Sequence, residues 1–155
     1  MNNRRRKRIR LDQSAYATGG TVWFCTIGTC NRYPLLSEPD LAEFVVQTLV
    51  DRSARSGIDL LLYCVMPDHI HLVVAVHTGD LISYVGAVKS IVAVARLRTG
   101  DRRRLWQRSF HDSGIRTTEN MDELTEYVFT NPVTAGLVDD WNDWPWIGGS
   151  LLEPA

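Results

Sequence analysis

The chain contains no apolar stretch of the roughly 18 residues that a membrane-spanning helix requires, so no membrane span is expected. Its N-terminus is basic but lacks the apolar core of a signal peptide, which points to the cytoplasm. Cysteine is scarce. Cys25, Cys30 and Cys64 are odd in number and lack zinc-ligand spacing, and Cys25 and Cys64 sit in apolar strand-like runs, where reduced, buried thiols are expected. Internal repeats and low-complexity segments are also missing. Nor is there an excess of one charge: 17 Lys and Arg face 18 Asp and Glu, and a net charge of -1 argues neither for nor against a nucleic-acid partner.

The charge is unevenly placed, however. Arg4, Arg5, Arg6, Lys7, Arg8 and Arg10 form one acid-free cluster, and Arg102, Arg103 and Arg104 form another. Such clusters suit phosphate contacts or a solvated tail. The 155 residues are enough for one domain with a proper core. The expected organisation is a basic arm over residues 1–17, a single domain over 18–150 and a tail over 151–155.

Thr21 to Ile27 reads as a first strand. Ser37 is a plausible cap for a helix with Pro39 in its first turn, Leu41, Phe44, Val45, Thr48 and Leu49 on one face, and Gly57 as its stop. Ile58 to Val65 and His69 to Val76 read as two more strands joined by Met66-Pro67-Asp68. A second helix begins near Asp80, turns Leu81, Val85, Val88, Val92 and Ala95 inward, and fails by Gly100. Leu105 to Phe110 reads as a fourth strand. A third helix runs from Thr117 or Thr118 to Asn131, where Pro132 disfavours continuation. The order β-α-β-β-α-β predicts an α+β, ferredoxin-like antiparallel sheet with two helices on one face and the extra C-terminal helix near the other.

Side chains two apart on a strand point to one side of the sheet. His69 and His71 therefore share a face with Val73 and Ala75, while the more apolar Ile70, Leu72, Val74 and Val76 belong under the helices. The pair on the open face either presents two nitrogens to one metal ion or stays as hydrogen-bonded histidines with no ion. On the third helix, Tyr127 and Asn131 are four apart and project together beside an apolar stripe of Met121, Leu124 and Val128. If the stripe docks on the open face, Tyr127 and Asn131 approach the histidines, and an asparagine oxygen completes a two-nitrogen, one-oxygen site. Otherwise Tyr127 is a packing aromatic and Asn131 a turn residue ahead of proline. No general base stands out; His111, Asp112, Glu123 and Glu126 are weak candidates. Trp23, Trp106 and Phe110 are candidates for base stacking, with core packing the alternative for Trp23.

"CVMPDHIHLVV" resembles the metal motif of the HUH endonuclease superfamily, and "YVFTNPVTAGLV" resembles the catalytic-tyrosine segment of its single-tyrosine transposases. Together with "GGTVWFCT", "LWQRSFHDSGIR" and "WNDWPWIGGS", they make the chain similar to the REP-associated tyrosine transposases from about Tyr16 to Ser150. The resemblance implies a ferredoxin-like core that cleaves and rejoins single-stranded DNA at hairpin sites, REP-like palindromes, through a 5′-phosphotyrosine intermediate, and a nucleoid-associated location. It places Tyr127 as nucleophile and His69, His71 and Asn131 as metal ligands; imidazole suits Mn²⁺ and phosphate oxygens suit Mg²⁺, so a divalent Mg²⁺ or Mn²⁺ is the expected cofactor. Asp68 departs from the asparagine frequent before the first histidine, and Thr18 from the proline frequent before the double glycine. A non-catalytic nucleic-acid-binding domain and a hydrolytic metal-dependent nuclease are the alternatives. Monomer and homodimer both stay open.

Overall fold

The computed structural model describes Arg8–Ile9 and residues 21–108, 110–115 and 118–153. Its elements run β1 (Arg8–Ile9), β2 (Thr21–Gly28), α1 (Pro39–Arg55), β3 (Ile58–Val65), β4 (His69–Val76), α2 (Leu81–Leu97), β5 (His111–Ile115), α3 (Thr118–Thr134), β6 (Ile147–Gly148) and β7 (Leu152–Glu153). The main sheet is antiparallel throughout, in the order β5-β2-β4-β3-β6. Its four longer strands have the ferredoxin-like arrangement, and β6 adds a two-residue edge. Separately, β1 pairs with β7, joining the basic arm to the C-terminal tail through Arg8↔Glu153 and Ile9↔Leu152.

The alternation of β4 sorts the core into two layers. Ile70, Leu72 and Val74 are buried in one cluster with Val45 and Leu49 of α1 and Val85, Val88 and Val92 of α2. Val73 and Ala75 are buried in a second cluster with Met121 and Val128 of α3 and Ile147 of β6. A bulge in β3 between Leu60 and Leu62 resets its alternation, so Leu60 belongs to the first layer and Leu62 and Cys64 to the second. All three helices are therefore seated by apolar side chains from opposite faces of one sheet.

Three sequence expectations are corrected. Ser37 does not cap α1; Glu38 holds the cap position, and the Ser37 hydroxyl donates to Pro34 O at 2.7 Å. The fourth strand is His111–Ile115 rather than Leu105 to Phe110. Leu105 and Trp106 are apolar because they plug the first core, touching β2 through only the isolated bridge Thr29↔Trp106. Finally, α3 continues through Pro132 to Thr134. In the last turn a proline forfeits a single backbone bond, and its carbonyl still accepts from Leu137 N at 2.9 Å.

Candidate active site

The second layer of the core ends where β4 begins, and there its side chains turn polar. His69 and His71 stand on the α3 side of the sheet, and the Nε2 atoms of the two rings approach to 3.0 Å. Each ring is held through its other nitrogen. His69 Nδ1 lies 2.6 Å from Asp68 Oδ1, and His71 Nδ1 lies 3.1 Å from Thr26 Oγ1, the residue opposite it on β2. Such outer contacts set both tautomer and ring orientation. With the Asp68 carboxylate accepting at Nδ1, His69 carries its lone pair on Nε2. His71 then either donates to that lone pair or, with its proton toward Thr26, faces it with a second one. The latter arrangement accepts a cation.

α3 delivers the remaining parts. Met121, Thr125 and Val128 are buried against the sheet, which rotates Tyr127 and Asn131 toward the histidines. The Tyr127 ring meets His71 edge-on, with centroids 5.5 Å apart, and keeps 55% of its surface exposed. Asn131 Nδ2 lies 3.1 Å from His71 Nε2, and a half-turn of the amide would present its oxygen instead. Phe24 stacks on His71 at 5.4 Å and meets Tyr127 edge-on, backing both rings. These side chains line a cleft of about 600 Å³ together with Thr26 and Arg32.

The donors fit a small divalent cation. Two nitrogens bound at roughly 2.1 Å and about 90° to each other stand about 3.0 Å apart, the separation of these Nε2 atoms. Among the described residues no three His, Cys, Asp or Glu side chains gather, and the donors that this cleft could offer a cation are the two imidazoles and the Asn131 amide. Burial keeps the imidazoles neutral, as ligation requires. It lowers His69, against the pull of Asp68, and pushes His71 down to about 3, with His69 and the Arg32 guanidinium adding to the effect.

The sequence reading thus brings His69, His71, Tyr127 and Asn131 to one cleft. The basic candidates fall elsewhere. Arg4, Arg5, Arg6, Lys7 and Arg10 lie outside the described residues, and of Arg8 only the backbone is described. Arg102 and Arg104 are exposed on a separate cleft with Arg108, whereas Arg103 is engaged by Asp101 through its Nε at 3.1 Å and Nη2 at 2.8 Å. Trp106 is buried, with Nε1 donating to Lys89 O at 2.9 Å, and Trp23 and Phe110, both half-buried, pack on the first core. Glu123 and Glu126 are exposed, and the side chains of His111 and Asp112 are outside the described set. Arg32 was missed. Nothing in "TCNRYP" marks it, because it reaches the cleft through backbone geometry alone.

Comparison with known proteins identifies the family and the fold. The model of the family described as "Transposase IS200 like" matches residues 22–131. The REP-associated tyrosine transposase of Escherichia coli K12 is 27% identical over 133 residues, 84% of this chain and 76% of that one. A Haemophilus influenzae protein whose name places it in the same group is 28% identical over 54% of each chain. Among solved structures, a REP-associated tyrosine transposase bound to a REP hairpin superimposes with a TM-score of 0.71 at 23% identity, covering 95% of this chain and 82% of that one, and so shares the fold.

Proposed function

The chain belongs to the IS200-like transposase family, and we propose that it cleaves and rejoins single-stranded DNA at hairpin sites through a 5′-phosphotyrosine on Tyr127. The observation that carries this reading is the placement of the Tyr127 ring and the Asn131 amide, one helical turn apart on α3, against the paired Nε2 atoms of His69 and His71. In the reaction, the phenol gives up its proton and its oxygen attacks the phosphorus. The P–O3′ bond breaks, and the departing 3′-oxygen takes up a proton. The covalent link conserves the energy of the broken bond, so a second 3′-hydroxyl can reverse the step and join new strands.

The chain's own residues prepare that attack. Half-exposure leaves the Tyr127 hydroxyl open to a substrate, while the Phe24 and His71 rings fix the plane from which it approaches. His69, His71 and Asn131 would hold the divalent cation, Mg²⁺ or Mn²⁺, with Asp68 and Thr26 fixing the imidazoles from behind. Bound there, the ion supplies charge withdrawal from the scissile phosphate and a fixed geometry for in-line displacement. Arg102, Arg104 and Arg108, which make no ion pair among the described residues, line a cationic cleft suited to phosphates of a hairpin. Their segment lies alongside the end of β2, with Leu105 O accepting from Cys30 N at 2.8 Å and Gln107 N donating to Gly28 O at 3.0 Å. Hairpin DNA as the partner also accords with the REP hairpin held by the structural relative.

The test is incubation of labelled single-stranded hairpin DNA with the chain and Mn²⁺, resolved on denaturing gels. The wild-type chain should shift label into a protein-bound species, and Tyr127→Phe should remove that species while hairpin binding persists. Cleavage without any protein-bound label would reassign the site to a nuclease that uses water. An adduct that survives Tyr127→Phe would remove Tyr127 from the mechanism.

A further inference from the structure

Arg32 lines the same cleft as His69, His71, Tyr127 and Asn131, yet among the described residues it makes no ion pair. Among the described residues its guanidinium makes a single hydrogen bond, a long one from Nη1 to Asp68 O at 3.5 Å. The backbone that carries it is unusual. Asn31 and Arg32 both occupy the left-handed region, at φ 53° and 56°. Asparagine tolerates that region, but arginine gains nothing from it, and an L-residue there carries a steric cost.

The turn is locked in spite of that cost. Arg32 N donates to Thr29 O at 3.1 Å and Tyr33 N to Cys30 O at 3.2 Å. The buried Thr29 hydroxyl lies 2.7 Å from Tyr33 O and 2.9 Å from Asp68 O, and Thr29 N donates to Asp68 O at 3.0 Å. Asp68 thus anchors the turn through its carbonyl and His69 through its carboxylate. One residue ties the backbone that carries Arg32 to the imidazole pair.

We propose that Arg32 is a catalytic residue whose guanidinium grips the non-bridging oxygens of the scissile phosphate while Tyr127 attacks. A guanidinium offers parallel donors that match two phosphate oxygens, and a positive charge carried to the cleft favours the transition state, where those oxygens are most electron-rich. The strained turn is then explained by where it aims the side chain. This inference rests on the transposase reading and names the group that meets its substrate.

The two can be tested apart. Adduct formation by the wild-type chain on labelled hairpin DNA locates the scissile phosphate; no adduct overturns the transposase reading and this inference with it. Given an adduct, Arg32→Gly is the informative variant, because glycine suits φ 56°. Its thermal stability should equal or exceed the wild type while the adduct rate falls about 10²- to 10³-fold. Arg32→Lys should recover part of the rate. In a Tyr127→Phe background with EDTA, a neutral methylphosphonate at the scissile position should weaken hairpin binding about tenfold when Arg32 is present and less than about twofold when Arg32→Gly is added. An unchanged adduct rate in Arg32→Gly, or equal losses in both backgrounds, removes Arg32 from the scissile phosphate.

Discussion

His71 makes the metal-free protein acid-sensitive by a calculable amount. Its ordinary value of 6.5 is pushed down to about 3, chiefly by burial. Lowering a histidine means that the folded state resists the proton that the unfolded state accepts. Stability is therefore unaffected above pH 6.5 and is lost as pH falls from 6.5 toward 3. At pH 4.5 the unfolded imidazole is almost fully protonated and the folded one almost fully neutral. Two pH units below 6.5 correspond to about 3 kcal/mol. Any folded value below about 4 gives nearly the same figure at this pH, so the expectation does not depend on the depth of the shift. His69 is lowered as well and adds loss of the same sign. The assay is urea unfolding in EDTA at pH 7.5 and 4.5 for the wild type and for His71→Gln, whose amide takes no proton. The variant should be less stable at pH 7.5, because the imidazole packs against Phe24 and Tyr127. Its further loss on acidification should be smaller than that of the wild type by about 2–3 kcal/mol. Equal losses in the two proteins would mean that His71 is hydrated or already charged in the fold, and the neutral imidazole pair would have to be given up.

Asp68→Ala should weaken Mn²⁺ binding about 10- to 100-fold by freeing His69 Nδ1, whereas Asp68→Asn, which keeps an acceptor in reach, should lose much less; Mn²⁺ titration followed by electron paramagnetic resonance reads both. Val128→Ala should cost about 2–3 kcal/mol in urea unfolding, since two fully buried methyl groups are worth about 1.6 kcal/mol in transfer alone and a void remains between α3 and the sheet.

Much of this arrangement can be read in the residues, and the exceptions have physical causes. β3 and β4 lie where expected, at Ile58–Val65 and His69–Val76, because each is a β-branched or aliphatic run bounded by turn residues. The strand period of two assigns His69 and His71 to the α3 side. The stripe of Met121, Leu124 and Val128 likewise indicates which side of α3 meets the sheet, although Leu124 is only half-buried and Thr125 shares its place. β5 is illegible because "HDSGI" has little strand character of its own and takes its conformation from pairing with β2. The apolar "LW" before it imitates a strand while acting as a plug. The cap of α1 depends on whether the Ser37 hydroxyl turns to the helix or to Pro34, a choice that only the folded chain makes. Arg32 is the most consequential omission. Asn31 suits a left-handed turn, but nothing in the sequence marks Arg32 as a second left-handed residue, so the direction of its side chain could not be read there.

The same alternation that builds the second core layer also builds the site, and this ties the precision of the chemistry to packing. On β4, His69 and His71 occupy the positions that Val73 and Ala75 occupy farther along, so the imidazoles continue an apolar row into the cleft. On α3, the buried Met121, Thr125 and Val128 fix the rotation of the helix, and Tyr127 and Asn131 follow from that rotation. Neighbouring helical positions differ by about 100°, so α3 could not turn its phenol away from His71 without lifting Val128 out of the core. The approach of Tyr127 to the imidazole pair is therefore maintained by burial along the adjoining face of the helix. A loosened second layer should then affect the reaction before it unfolds the protein, because a displacement of about 1 Å matters to an in-line attack and not to a hydrophobic contact.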